Sequence, residues 1–320
     1  MPVGLKLIVR AFRDLTPAIR LFRLGAADGS ALPAFTAGSH IKVKVRLPDG
    51  AADERHYSLI NSAAQDGEYQ IAVQHETKSR GGSAFMHGLA EGDALDADGP
   101  HNDFALAVGA RLHVLIAGGI GITPILSMAR ALRIAGQPFE FYYAARLPEL
   151  MALRSEVEDV SDRRANFCFD GGDPSRGLPL ESIVGVPDPG RHIYVCGPKG
   201  MLDAVLTLAD KRGWPKSHVH FESFGATEQI GDSTIEVQLK RDGRTLTVTS
   251  RQTILDALLA AGIDHPHDCK RGECSTCQVE VLDGVPDNRD YCLFGPEYDE
   301  GKLMCVCVSR AKTPRLVLDI

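Results

Sequence analysis

Along residues 5 to 105, apolar and polar positions alternate in short runs: Leu5 to Arg10, Ile19 to Leu24, His40 to Leu47, His56 to Leu59 and Tyr69 to Gln74. Gly, Pro and Asp punctuate them, and strict alternation bounded by such residues predicts strands of a small antiparallel barrel. At Arg111 the period changes. Leu112 to Ala117 is a continuous apolar run that breaks at Gly118-Gly119-Ile120-Gly121-Ile122-Thr123-Pro124 and resumes at helical spacing over Ile125 to Ala135. Further apolar runs follow at Phe139 to Ala144, Asn166 to Phe169, His192 to Val195 and His218 to Phe221, with helix-sized segments between them, including Leu202 to Lys211. Strands separated by helices predict a doubly wound parallel sheet.

After Gly225 the pattern restarts. The stretch from Gly225 to Gly231 has glycine at both ends and little apolar content, as a linker does. Thr234 to Lys240 and Arg244 to Thr249 alternate around an Asp242-Gly243 turn, and Thr253 to Gly262 reads as a helix with an N-cap and a closing glycine. Gln278 to Leu282 and Leu316 to Leu318 are further strands. Hairpin, helix, cysteine loop and strands make the β-grasp plan of ferredoxins. The organisation predicted is multidomain α+β and α/β: a β-barrel over 1–105, a parallel-sheet domain over 106–225, a linker over 226–232 and a β-grasp domain over 233–320.

The cysteines carry the sharpest chemistry. Cys269, Cys274 and Cys277 stand at Cys-x4-Cys-x2-Cys spacing in one short loop, the plant-type 2Fe–2S ligand pattern. Gly272 gives that loop the freedom to turn its N–H groups toward sulfur. A fourth thiolate is required from a distant strand; Cys307 is the candidate and Cys305 its competitor. Zinc is the rival occupant, although paired Cys-x2-Cys units suit it better. His265 and His267 flank the loop without a second paired set.

Two polar clusters fall where a barrel has its rim. Arg55-His56-Tyr57-Ser58 combines a cation, a hydroxyl and an aromatic face, and Ser79-Arg80-Gly81-Gly82-Ser83 is a glycine-rich turn offering main-chain N–H groups. Together they suit a phosphate and a flat ring. The glycines Gly118, Gly119 and Gly121 let the backbone approach a pyrophosphate at the start of a helix, although Gly-x-Gly-x-x-Gly itself is absent. Cys196-Gly197-Pro198 opens a turn at the C-terminal end of another strand, where ligands bind in such sheets.

Arg55-x-Tyr57-Ser58, Gly118-Gly119-x-Gly121-x-Thr123-Pro124, Cys196-Gly197-Pro198 and Phe221-Glu222-x-Phe224 occur in an order that resembles the ferredoxin-reductase superfamily. With a ferredoxin domain at the C-terminus, the whole chain resembles the phthalate dioxygenase reductase family. The resemblance implies a flavin cradled by Arg55, His56, Tyr57 and Ser58, with Gly81, Gly82 and Ser83 on the side of its phosphate. His56 contributes main chain more than side chain. It implies that Thr123 and Cys196 lie beside the nicotinamide and that Phe224 stacks near the flavin ring. FMN rather than FAD follows from domain order, and NADH rather than NADPH from the family. The residues leave that second choice open, since Asp173 suits a ribose hydroxyl and Arg146 a 2′-phosphate.

The implied activity is electron transfer from NADH through FMN and a 2Fe–2S cluster to a Rieske-type terminal oxygenase, of an aromatic-ring dioxygenase or O-demethylase system. A flavin bridges the mismatch between a two-electron donor and a one-electron acceptor. The alternatives are an FAD-dependent reductase of a diiron hydroxylase and a non-enzymatic zinc or redox-sensing module. Forty-two Asp and Glu against 35 Lys and Arg, a formal charge of −7, disfavour a nucleic-acid partner. The C-terminal domain is itself acidic, with 15 Asp and Glu against 11 Lys and Arg over 232–320. No apolar run of membrane-spanning length and no signal pattern stand out, and eight cysteines without a secretory context suit the cytoplasm.

Overall fold

The computed structural model describes residues 4–62, 67–77, 81–224, 232–250, 252–293 and 296–320. The predicted linker from Gly225 to Gly231 and the residues Ser79 and Arg80 therefore lie outside the described residues. The chain divides into two compact units, Met1–Glu222 and Ser223–Ile320. Among the described residues no helix is long and apolar enough to cross a membrane.

The first unit opens with a six-stranded antiparallel sheet. Its strands are β1 (Gly4–Thr16), β2 (Ile19–Ala26), β3 (His40–Arg46), β4 (Ala52–Ser58), β5 (Tyr69–Gln74) and, after the short helix α1 (Gly82–His87), β6 (Ala94–His101). The spatial order is β4-β3-β6-β1-β2-β5. The edge strands β4 and β5 meet just beyond β4. There the Ile60 N–H donates to the Gln70 carbonyl at 2.9 Å, and the Asn61 amide donates to the Glu68 carbonyl and accepts from the Gln70 N–H. Alternate positions point inward, so Leu7, Val9, Phe22, Leu24, Ile41, Val43, Tyr69 and Ile71 form one core. Each such side chain contributes about 1.5–3 kcal/mol by leaving water.

Three details differ from the sequence expectation. β4 begins at Ala52, before His56, because Asp53, Glu54 and Arg55 continue the ladder against β3 on a polar face. β6 is not among the expected strands: it carries Asp96, Asp98, Gly99 and Pro100, yet it pairs with both β1 and β3. The glycine-rich turn is also followed directly by α1, with Gly81 as its left-handed N-cap.

The chain then alternates strand and helix: β7 (Leu112–Gly118), α2 (Ile122–Ile134), β8 (Phe139–Ala145), α3 (Arg154–Val160), β9 (Asn166–Phe169), α4 (Leu180–Val184), β10 (Arg191–Cys196), α5 (Lys199–Lys211) and β11 (Val219–Glu222). These strands form a parallel sheet in the order β11-β10-β7-β8-β9. β7 is buried along nearly its whole length, which is why it reads as a continuous apolar run. On α5 the buried positions Leu202, Val205 and Ala209 recur at helical spacing.

The two halves of this unit share a core. Ile19, Leu21, Ile60, Ala72 and Phe104 pack with Ile122, Ile125, Leu126 and Met128 of α2 and its neighbours. Polar bonds reinforce the contact: Arg130 donates to the Ile60 carbonyl at 2.9 Å and Ser127 Oγ to the Asn61 carbonyl at 3.2 Å.

The second unit comprises β12 (Ile235–Leu239), β13 (Thr245–Val248), α6 (Ile254–Ala260), β14 (Gln278–Asp283), β15 (Pro286–Asp287), α7 (Pro296–Asp299), β16 (Leu303–Cys305), β17 (Arg310–Ala311) and β18 (Arg315–Leu318). Its main sheet runs β13-β12-β18-β14-β16, with β12 and β18 parallel and the other pairs antiparallel. α6 starts in a capping box, Thr253 Oγ1 accepting from the Asp256 N–H and the Asp256 carboxylate from the Thr253 N–H, both at 3.0 Å. Ile254, Leu255 and Leu258 of α6 pack on Val237, Leu239, Leu316 and Leu318 of the sheet. A buried ion group holds the start of this unit: Asp232 pairs with Arg289, and Arg310 lies 3.9 Å from the same carboxylate.

Candidate functional site

In the parallel sheet the chain leaves β7 toward β8 and leaves β10 toward β11, on opposite sides. The crevice outside the C-terminal ends of β7 and β10 is therefore the topological switch point. Two glycine turns face each other there. A Cβ on Gly121 would lie 2.3 Å from the Cys196 carbonyl oxygen, one on Gly118 would lie 2.6 Å from Pro198 Cδ, and one on Gly197 would lie 3.1 Å from Gly118 Cα. Gly119 differs: it has a φ of +53° with nothing within 4 Å of a built Cβ, so its main chain is open to a ligand. Such a cradle fits a pyrophosphate approaching backbone N–H groups. Thr123, in the first turn of α2, is buried and its hydroxyl donates to the Ile120 carbonyl at 3.1 Å, which tightens the turn.

Cys196 ends β10 beside Glu222, its register partner at the end of β11. Glu222 is only 1% exposed, and the Ser58 hydroxyl at the end of β4 donates to its Oε2 at 3.2 Å. Ser58, Glu222 and Cys196 thus bring the end of the barrel strand to the edge of the switch-point crevice. In the sequence Glu222 is one residue of the Phe221-Glu222-x-Phe224 motif, with no role assigned to it. Its signal was a charged residue closing a buried strand, which needs a partner.

On the barrel side, β4 presents Arg55 and Tyr57 on one face and His56 and Ser58 on the other. The Arg55 guanidinium bonds to Asp53 Oδ2 at 2.6 Å and the Glu54 carbonyl at 2.7 Å. It passes beneath the glycine-rich turn, since a Cβ on Gly82 would lie 2.5 Å from Arg55 Nε. Gly81 has a φ of +107° and its Cβ would meet Pro48 Cδ at 2.5 Å, so only glycine fits there. Ser83 Oγ accepts from the Glu76 N–H at 3.0 Å. A cation under a glycine turn fits a phosphate. Burial pushes the Tyr57 phenol well above its usual range, so the ring is neutral and offers an aromatic face. His56 stacks on His40 with centroids 5.0 Å apart, and its Nε2 lies 3.4 Å from Glu54.

Asp173 lies past β9, exposed, where it caps the turn Pro174–Arg176. Its carboxylate accepts from the Ser175 hydroxyl at 2.7 Å and N–H at 3.0 Å, and these bonds, the hydroxyl first, hold it below the usual carboxylate range. Phe224 belongs to the second unit, where it is 39% exposed.

The cysteine loop of the second unit is built on unusual backbone. Lys270, Gly272 and Ser275 all have positive φ, at 52°, 74° and 58°. These turns aim N–H groups at sulfur: Arg271 and Glu273 donate to Cys269, Thr276 to Cys274, and Gly272 to Cys307. The donor set fits a thiolate-held cluster. Cys269, Cys277 and Cys307 are buried and Cys274 is exposed. Hydrogen bonds from the Cys305 and then the Cys307 thiols pull Cys277 down to about 3, and those two donors are pushed up in return. Cys307 faces the loop, with Cys277, Cys269 and the Gly272 N–H around it. Cys305 lies between Cys277, to which its thiol donates, and Cys292, whose sulfur is 3.5 Å away. Beside the loop, Arg271 is buried and its Nε is 3.5 Å from the Glu273 carboxylate, which also accepts from the Ser223 N–H.

Comparison with known proteins bears on this arrangement. Residues 6–106 match the oxidoreductase FAD-binding domain family and residues 237–312 the 2Fe-2S iron-sulfur cluster binding domain family. The chain is 36% identical to the vanillate O-demethylase oxidoreductase of Acinetobacter baylyi over 99% of both chains. It is 38% identical to the carnitine monooxygenase reductase subunit of Acinetobacter pittii, covering 96% of this chain and 99% of the relative. The solved structure of phthalate dioxygenase reductase, described as a modular structure for electron transfer from pyridine nucleotides to [2Fe-2S], superposes with a TM-score of 0.80 at 36% identity, covering 99% of this chain and 98% of that one. Flavin-binding and 2Fe–2S domains, a parallel-sheet domain between them and full-length relatives of this kind make the chain an oxidoreductase that belongs to the phthalate dioxygenase reductase family, the electron-transfer reductase components of oxygenase systems.

Proposed function

We propose that this chain takes electrons from NADH, passes them through FMN and a 2Fe–2S cluster, and delivers them to a Rieske-type terminal oxygenase of an aromatic-ring dioxygenase or O-demethylase system in the cytoplasm. The domains assigned are a flavin barrel over 1–105, an NADH domain over 106–225, a linker over 226–232 and a ferredoxin domain over 233–320. A bound flavin accepts a hydride and gives electrons up singly, and a 2Fe–2S cluster carries one at a time. The observation that carries the proposal is the pairing of the Ser58–Glu222–Cys196 edge with a switch-point cradle in the same unit.

Within that reading each residue has a task. Gly118, Gly119, Gly121, Gly197 and Pro198 shape the backbone that receives the coenzyme pyrophosphate, and Thr123 and Cys196 border the nicotinamide. Asp173 accepts a ribose hydroxyl, which favours NADH because a 2′-phosphate would meet its carboxylate. Arg55 and the Gly81–Ser83 turn hold the flavin phosphate, while Tyr57, Ser58 and the main chain of His56 hold the ring. Phe224 covers it. Cys269, Cys274, Cys277 and Cys307 are the cluster ligands.

FAD is the second reading, favoured by the FAD-binding family match over 6–106. Acid extraction and chromatography of the flavin separate the two. The relay order is tested with Cys274→Ser: cytochrome c reduction is lost while flavin reduction by NADH persists. Loss of both would overturn the order.

A further inference from the structure

Three side chains of the second unit converge outside the proposed ligand set. Cys292 Sγ lies 3.5 Å from Cys305 Sγ and 4.0 Å from Asp290 Oδ1. The carboxylate is fixed in place, Oδ1 accepting from the Leu293 N–H at 3.1 Å and Oδ2 from the Ser309 hydroxyl at 3.2 Å. Cys305, on β16, is fully enclosed, whereas Cys292 is half-buried, so a small reagent reaches the pair from the Cys292 side. The Tyr291 N–H donates to the Gly272 carbonyl at 2.8 Å, which sets this segment against the cysteine loop.

The two sulfurs touch without a bond. A disulfide at about 2.05 Å requires them to close by about 1.5 Å. Cys305 is held by the β14–β16 ladder, with Gln278 opposite it, while Cys292 lies outside any strand or helix, so the closure falls on Cys292. We propose that Cys292 and Cys305 are a peroxide-sensitive thiol pair that closes to a disulfide. Cys292 sulfur attacks hydrogen peroxide as its proton passes to Asp290. The O–O bond breaks, Cys292 carries a sulfenic acid, and the departing hydroxide takes up a proton and leaves as water. Cys305 sulfur then attacks Cys292 sulfur, the S–O bond breaks, and a second water leaves with the Cys305 proton. The two thiols lose two electrons to one peroxide, giving one disulfide and two waters.

The consequence for electron transfer rests on the cluster reading above. The Val306 N–H donates to the Cys277 carbonyl at 3.2 Å and Cys305 is the register partner of Gln278, which sets Cys305 beside Cys277, a proposed cluster ligand to which its thiol donates. Oxidation removes that donor, and hydrogen bonds to ligand sulfur help set cluster potential. The oxidised pair therefore lowers the potential and slows reduction of the cluster.

The test uses the full-length holoprotein. It is treated with one equivalent of hydrogen peroxide, its remaining thiols are alkylated, and it is digested without reductant. The expected product is one species joining the Cys292 and Cys305 peptides, two hydrogens lighter than the sum and released by dithiothreitol. In Cys292→Ser the species is absent and Cys305 stays alkylatable. The peroxide-induced shift of the cluster potential disappears in the same variant. Recovery of both thiols alkylated, or of Cys292 as the sulfinic acid, would overturn the proposal. So would stoichiometric zinc released by Cys292→Ser, which would make the three side chains a metal site. Failure of the cluster reading is distinct: untreated protein would then lack iron and acid-labile sulfide.

Discussion

Replacing Gly272 with alanine strikes the cysteine loop at its tightest point. Gly272 has a φ of +74°, and a Cβ there would lie 2.6 Å from Val308 Cγ2 and 3.0 Å from the Cα of Asp290. A left-handed backbone costs an alanine about 1–2 kcal/mol. A methyl driven against a backbone carbon adds about 1–3 kcal/mol, so the variant should lose about 2–5 kcal/mol. Gly243 supplies an internal control: it has the same φ of +74° with nothing within 4 Å, so Gly243→Ala should cost the backbone share alone. Because the Gly272 N–H also donates to Cys307, relaxation of the loop should reduce iron and sulfide content as well. Urea unfolding followed by cluster absorbance, with iron and sulfide assays, reads both effects. Gly272→Ala/Val308→Ala should recover only part of the loss, since the Asp290 backbone still blocks the methyl. If Gly272→Ala matches Gly243→Ala in stability and wild type in cluster content, the packing argument is wrong.

Three further predictions follow from other parts of the chain. Asp232→Asn leaves Arg289 and Arg310 buried without their shared carboxylate and should cost about 3 kcal/mol, the lower end for a broken buried pair because Arg289 keeps Asp287 at 2.6 Å; an unchanged urea midpoint would contradict this. His220, pushed down to about 4 by burial and then by His192, His218 and His113, is neutral when folded, while the unfolded chain takes up its proton near pH 6.5. Stability is therefore full above pH 6.5 and falls toward pH 4, by about 1–2 kcal/mol after allowance for solvent contact. The buried, sole tryptophan Trp214 reports the unfolding, and His220→Gln should flatten the curve. Gly121→Ala puts a Cβ 2.3 Å from the Cys196 carbonyl and should raise the KM for NADH about tenfold or more with flavin content retained; an unchanged KM refutes the cradle.

What was legible in the sequence tracks burial. β7 and the glycine turn after it stand out because a strand buried on both faces must be apolar throughout and the turn must admit a ligand. The alternating barrel strands were equally plain, except β6. Its only fully inward apolar side chains are Leu95 and Ala97, and Asp, Gly and Pro dominate the rest, so pairing with two neighbours decides its state. Closure of the barrel by Asn61 had no signal at all, because it depends on two edges meeting in space. The cysteine spacing announced a cluster loop and named Cys307 ahead of Cys305 as its fourth thiolate. It gave no sign that Cys292, 13 residues before Cys305, would lie with its sulfur 3.5 Å from that of Cys305, because that contact depends on the fold. Glu222 was likewise a charge in a motif until Ser58 met it.

On the proposed function, one polypeptide holds a complete path from nicotinamide to iron–sulfur cluster. That path is tested most directly by anaerobic titration of the purified holoprotein with NADH, following flavin and iron–sulfur absorption together. Bleaching of both, with more electrons taken up than flavin alone can hold, is the predicted result. Bleaching of flavin alone in protein whose iron and sulfide content is complete would contradict it.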